Sequence, residues 1–361
     1  MSPPLDRYRA KRDFTATPEP AGGPEATTTD PDRGEAARFV VQEHHARALH
    51  WDFRLERDGV LVSWALPKGV PPDPDVNHLA VPTEDHPLSY IDFEGEIPRG
   101  NYGAGEVQVW DRGTYDTIKW SDREVMVTLH GERVQGRHVL FRTSDRQWMI
   151  HRMDPPQDPG FEALPDGWAP MRARRGALPD DAEQWSFEIA WPGARVLTAV
   201  DGGRVRLRAF NGRDVTGRDV TGRDVTDRFP EMRPLGRALG ARPTLLDGVI
   251  VAVDDAGRPA RALVDRRMEG AQRPPVVLMA VDVLHLDGHS LTGRPYRERR
   301  EALETLGLAG AAWQTPAAHA GAGVALLEAA RVQGLPGVIA KRLDSIYEPG
   351  TTSDAWAEVV A

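Results

Sequence analysis

The sequence predicts a mixed fold, with a small β-barrel domain followed by a second domain of α/β (α+β) type. Three observations predict it. Between residues 38 and 153, eight short alternating segments follow one another: RFVVQE, HWDFRLE, VLVSWAL, HLAVPTE, GEVQVWD, EVMVTLH, RHVLFRT and QWMIHRM. Gly- and Pro-rich turns separate them, and strands of this spacing argue for a closed or nearly closed barrel. A proline-rich stretch, DPPQDPG and then LPDGWAPM, ends that pattern, and beyond it strand and helix periodicities mix.

Composition sets the bounds. The 361 residues leave room for two domains, each with its own core. Cysteine is absent, which excludes disulfides, thiolate metal sites and iron–sulfur clusters, so any metal must rest on His, Asp and Glu. Net charge is −9, and residues 1–155 carry 19 Lys and Arg against 26 Asp and Glu. That is not the basic footprint of a non-specific duplex binder, so contact with DNA would be local and metal-assisted. No apolar run approaches a membrane span, and the N-terminus is charged where a signal peptide needs an apolar core. A cytoplasmic protein is expected.

Residues 1–37 open with a basic turn from Arg7 to Arg12 and continue through TPEPAGGPEATTTDPDRGEA, read as an arm and flexible connector. The most informative stretch follows, at 38–68. From His50 onward, His50, Asp52 and Arg54 face one way while Trp51, Phe53 and Leu55 face the other. His44 lies six residues upstream, where a loop or bulge could fold it onto the polar face. Two imidazoles and a carboxylate form a three-ligand metal set with open positions, and Arg54 beside them suits an anion. The competing reading is an edge strand with chance polar residues. Asp58-Gly59 gives a two-residue hairpin turn into VLVSWAL. In TEDHPLSY, Glu84, His86 and Tyr90 are candidates for a pocket, although a histidine before proline is often only a turn residue. GNYGAG reads as a hairpin loop, since it opens no helix.

QEHHARALHWDFRLERDGVLVSWALPKG, with YRAKRDFTATPEP upstream and LAVPTEDHPLSYIDFEGEIPRGNYGAGEVQVWDRGTY downstream, resembles the 3′-phosphoesterase module of bacterial DNA ligase D. The likeness covers most of residues 7–152. It implies metal-dependent hydrolysis at DNA 3′ ends, removing a terminal ribonucleoside and then the remaining 3′ phosphate. His44, His50 and Asp52 would hold the metal, with manganese expected, and Arg54, Lys68 and His86 would neutralise phosphoryl charge. Arg12, Asp13 and Glu19 would fold over the site and touch the substrate, joined by His78, Glu84 and Tyr90. His78 stands where an arginine is usual, and a histidine grips phosphate less firmly at neutral pH. The substrate would be a primer–template ending in a ribonucleotide or 3′ phosphate, and the partners Ku and the ligase and polymerase of end joining.

Residues 171–361 resemble the nucleotidyltransferase domain of ATP-dependent DNA ligases. Where that family carries Lys-x-Asp-Gly, this sequence has Ala190-Trp191-Pro192-Gly193, so the nucleophile is missing and ATP is not expected as a cofactor. Phe210 aligns with a ribose-contacting arginine, Val249 with a metal-supporting acid and Val281 with an adenine-stacking aromatic. Glu358 and Val360 align with two phosphate-contacting lysines, and Lys341 alone survives. The following OB-fold domain is expected to be absent. GRDVT occurs at 212–216, 217–221 and 222–226, read as a ten-residue slippage insertion in a surface loop. The reading is a 3′-end-processing enzyme in residues 38–155, a linker over 156–170 and an inactive ligase-like domain over 171–361. A non-catalytic DNA-end scaffold and an active ligase are the alternatives.

Overall fold

A computed structural model describes residues 5–22, 36–144, 147–210, 222–240 and 242–361. The chain divides into two compact units, Met1–Phe161 and Glu162–Ala361. No described helix is long and apolar enough to cross a membrane.

In the first unit a short helix, α1 (Asp6–Ala10), precedes ten strands: β1 (Ala37–His45), β2 (Leu49–Arg57), β3 (Val60–Leu66), β4 (Asn77–Pro82), β5 (His86–Pro87), β6 (Gly95–Ile97), β7 (Gly105–Ser121), β8 (Glu124–Gly131), β9 (Gln135–Arg142) and β10 (Trp148–Arg152). Eight of them close a ring in the order β1-β2-β3-β4-β10-β9-β8-β7, because β7 also pairs with β1. Every pairing in the ring is antiparallel. The β2–β3 turn has Asp58 at φ 49° and Gly59 at φ 81°, as a two-residue primed turn requires. The apolar face of the strands forms the core, where Phe39, Phe53, Leu55, Leu66, Leu129 and Leu140 are buried and Phe53 lies 6.4 Å from Trp64. Fully burying such side chains stabilises by roughly 1.5–3 kcal/mol each.

The other face of β1 and β2 is largely covered where the alternation suggested a solvent face, with His50 partly exposed. It is roofed by α1 and residues 88–93. Tyr8, Leu88, Tyr90, Ile91 and Phe93 form a second cluster with Val40, Leu61 and Val107. Tyr8 anchors the arm, fully buried, with its hydroxyl donating to the Pro20 carbonyl at 2.6 Å. Of the expected connector, residues 23–35 lie outside the described residues.

In the second unit one sheet is built on Ala194–Asp201, Arg204–Phe210, Thr244–Ala252 and Val276–Leu286, and another on Trp185–Ile189, Gly337–Arg342 and Thr352–Val360. Every residue of Thr244–Ala252 is buried, the strand being apolar but for Thr244 and Asp247. A helix spans Tyr296–Thr305. The division between the units, at Phe161 and Glu162, falls within residues 156–170. Gln157 bonds Gln135 in the barrel unit, whereas Glu162 and Trp168 belong with the second core. The first two GRDVT copies lie outside the described residues.

Candidate active site

His44 and His50 face each other across the β1–β2 hairpin as register partners, with Gln42 opposite Asp52. His44 thus arrives on a neighbouring strand and needs no fold-back loop. One nitrogen from each imidazole and one Asp52 oxygen lie within 4.8 Å of one another. A point therefore exists within about 2.8 Å of all three, close to N/O metal bond lengths of ~2.0–2.2 Å.

The backbone fixes both tautomers. His44 Nε2 lies 2.8 Å from the Gly103 carbonyl, and His50 Nδ1 lies 3.0 Å from the Ala48 carbonyl. A carbonyl only accepts, so in each neutral ring that nitrogen carries the hydrogen. The remaining lone pairs, on His44 Nδ1 and His50 Nε2, face Asp52 at 3.4 and 3.8 Å. Burial would raise the Asp52 carboxyl, but the Arg54 guanidinium at 3.0 Å outweighs it and holds it well below the usual range. This donor set fits a divalent ion of the zinc, manganese or iron type.

Arg54 joins this cluster to a second one. Its Nη2 meets Asp52 at 3.0 Å, its Nε donates to Gln42 at 2.8 Å, and its Nη1 lies 2.9 Å from His86 Nδ1. Arg12 reaches the other side of the same ring, 3.2 Å from His86 Nε2. Burial, then Arg54 and Arg12, push His86 well below its ordinary value, so the ring is neutral. A neutral imidazole accepts at one nitrogen only, so one of these guanidinium contacts sets donor against donor. Around them, Glu19 accepts from Arg12 at 2.8 Å and from the Tyr90 hydroxyl at 3.0 Å, while Glu84 receives Arg12 at 2.9 Å and Lys11 at 2.8 Å.

The structure brings together His44, His50, Asp52, Arg54, His86, Arg12, Glu19, Glu84 and Tyr90. The other three expected residues show local contacts or exposure. Asp13 is exposed, and its carboxylate closes a turn by accepting from the Thr15 amide and hydroxyl at 3.0 and 2.6 Å. Lys68 is exposed two residues beyond β3, and His78 bonds the Gly69 carbonyl at 2.9 Å. Sequence reasoning missed Gln42, Tyr8, Lys11 and the Gly103 carbonyl. Gln42 shares the period-two face of His44 and was open to the same argument, but no local pattern marks the other three.

In the second unit, Ala190 follows the strand ending at Ile189 and bonds the Gly337 carbonyl. Val249 packs with Val251, Met279, Val277 and Trp191 in an apolar cluster. Lys341 is 1% exposed, 2.9 Å from Glu188 and 2.7 Å from the Val281 carbonyl, with the Trp356 ring 4.5 Å away. Tyr296 donates to the same Glu188 carboxylate. Asp247 is held by Arg195 and the Tyr347 hydroxyl, and Glu358 lies on the last strand, 3.7 Å from Arg175.

A polar cluster fit for a metal sits on an eight-stranded barrel, and a second unit of mixed sheets and helices follows it. Residues 42–142 match the DNA ligase D 3′-phosphoesterase domain, and residues 171–359 match the ATP-dependent DNA ligase domain. The second match covers more than half of the chain, which therefore belongs to the family of the ATP-dependent DNA ligase domain, carried here behind a ligase D 3′-phosphoesterase domain. The chain is 45% identical over 359 residues to the multifunctional non-homologous end joining protein LigD of Mycobacterium bovis, covering 98% of this chain and 45% of that protein. It is 34% identical to the corresponding protein of Pseudomonas aeruginosa, covering 99% of this chain and 47% of the relative. It thus spans about half the length of these relatives. A solved mycobacterial DNA ligase D complexed with ATP and MES is 36% identical, covering 54% of this chain and 60% of that one with a TM-score of 0.46.

Proposed function

We propose that the barrel unit is a metal-dependent phosphoesterase acting on DNA 3′ ends, and that the ligase domain behind it is catalytically inactive. One observation carries the first part. Two carbonyls leave the inward nitrogens of His44 and His50 free beside an ionised Asp52, an arrangement that serves ligation and little else. A divalent ion bound there, manganese by our reading, would supply a Lewis acid for the phosphate. Arg54 keeps Asp52 ionised and holds His86 in place. Arg12 and Arg54, which flank the neutral His86 ring, present donors to a phosphoryl oxygen, and a phosphate arriving there relieves the donor-against-donor contact. Tyr90 and Glu19 keep Arg12 oriented. The substrate would be a primer–template whose 3′ end carries a ribonucleotide or phosphate, supplied to the polymerase and ligase of end joining, with Ku among the partners.

The second part rests on side chains at the positions that carry chemistry in ligases. Ala190 and Pro192 offer no nucleophile, Phe210, Val249 and Val281 no polar group, and Glu358 a charge of the wrong sign for a triphosphate. Lys341 is committed to Glu188. The test incubates the full chain with manganese and a 5′-labelled primer ending in a ribonucleotide, and separately with labelled ATP. Metal-dependent shortening of the primer is expected, without a protein–AMP adduct. An intact primer would refute the first part, and an adduct the second.

A further inference from the structure

The barrel has a second polar feature, a cavity of about 320 Å³ lined by Val70, Pro71, Trp110, Arg133, Val134 and Arg152, with Asp158 and Phe161 at its edge. Three local devices build it. The β1–β7 register shifts between Val41, paired with Asp111, and Gln42, paired with Val109, so Trp110 is the extra residue of a bulge. Bulges re-aim side chains, and this one turns an indole into the cavity wall. The neighbouring Asp111 is 2% exposed and accepts from the backbone amides of Glu132, Arg133 and Val134 at 2.8–2.9 Å. The turn bearing Arg133 is therefore fixed, and its guanidinium lies 5.3 Å from the Trp110 ring centre. Arg152 is 5% exposed and is held by the carbonyls of Pro155 and Gln135, both at 2.8 Å.

The charge here is incompletely matched. Asp154, the acid next to Arg152 in sequence, gives its carboxylate to Arg137 through the amide, Nε and Nη2. Among the described residues neither Arg133 nor Arg152 forms an ion pair. Asp158 bonds the Gly160 amide at 2.8 Å. Burial lowers the Arg152 guanidinium, and Asp154 and Asp73 offset that cost only in part, next to an aromatic ring and open space.

Placement adds a second argument. Because the ring is antiparallel throughout, the end of β1, the end of β3, the end of β10 and the end of β8 all lie at one end of the barrel. His44 closes β1, Val70 follows β3, Arg152 closes β10 and Arg133 follows β8. The cavity and the metal cluster therefore share that end.

We infer that this cavity binds one unpaired nucleotide of the DNA template strand, its base on Trp110 and its phosphate between Arg133 and Arg152. An aromatic face beside cations is the chemistry that holds single-stranded nucleic acid, and paired bases in a duplex offer no free face. At a recessed 3′ end the nearest unpaired base belongs to the template tail. This inference rests on the proposed action at DNA 3′ ends and names where the rest of that substrate sits.

The test measures binding of the full chain to two fluorescein-labelled primer–templates, one blunt and one with a single-stranded 5′ tail on the template. Wild type should bind the tailed DNA more tightly. Trp110→Ala should remove about tenfold or more of that gain, and Trp110→Phe should retain most of it. Arg133 is exposed, so Arg133→Ala tests the phosphate contact without disturbing the core, and it should lower the salt slope by about one. Melting curves confirm that each variant folds. Equal tail preference in wild type, Trp110→Ala and Arg133→Ala would overturn the subsite, even with 3′-end hydrolysis intact. A wild type that neither binds nor processes either DNA would overturn the subsite together with the reading it rests on.

Discussion

Both units bury charged side chains, but they close them differently. In the second unit each buried charge ends on a protein partner. Lys341 meets Glu188, Arg195 meets Asp247, and Arg299 meets Asp282 with 3.0 Å contacts to both oxygens. In the barrel, two imidazole lone pairs and a carboxylate converge on one point, and His86 sits between two guanidinium donors. Buried charges that each meet an opposite charge serve the fold. A cluster that leaves converging valences open is paid for by function.

The comparison can be broken most forcefully in the second unit. Lys341→Met would leave Glu188 buried without its cation, and removing one member of such a pair costs roughly 3–5 kcal/mol. Denaturant unfolding of the second unit should shift by that order while 3′-end hydrolysis survives. An unchanged midpoint would mean that the lysine is held ready for chemistry.

The converse holds for the barrel. Arg54→Ala and His86→Ala should each slow 3′-end hydrolysis by about 100-fold or more, as for loss of one preorganised donor, with the chain still folded by circular dichroism. Rates within a few-fold of wild type would place the reacting phosphate elsewhere.

A smaller effect follows from acid. Burial pushes His138 down to about 4, against an ordinary value near 6.5. Below about pH 6.5 the unfolded chain takes up a proton that the folded chain refuses until about pH 4. Stability is therefore full above that window, falls as pH drops through it and levels off beneath it. The loss at pH 4.5 is roughly 2–3 kcal/mol at 1.36 kcal/mol per unit. His86 adds a loss of the same sign. Urea titrations at pH 7.5 and 4.5 should show the barrel weakening, and His138→Leu should flatten part of the difference. Equal acid loss in His138→Leu would remove His138 as the cause.

Sequence reached the barrel because its strands obey the two-residue period, and it reached Asp52 and Arg54 by the same rule. It could not reach the roof. Tyr8 and Arg12 lie more than 70 residues from Glu84 and His86, and nothing local encodes that docking. Lys68 and Asp13 rest on the resemblance alone, since both are exposed and no local pattern marks them. The Trp110 bulge escaped notice because an extra residue in one strand is visible only against its partner.

The central claim is that the barrel cluster, and nothing in the second unit, holds the metal. Titration calorimetry with manganese on the full chain tests it directly. We predict one ion per chain in wild type, loss of that binding in Asp52→Asn and His50→Ala, and unaltered binding in Lys341→Met. A wild type that takes up no manganese, or an Asp52→Asn variant that binds it as tightly, would contradict the account.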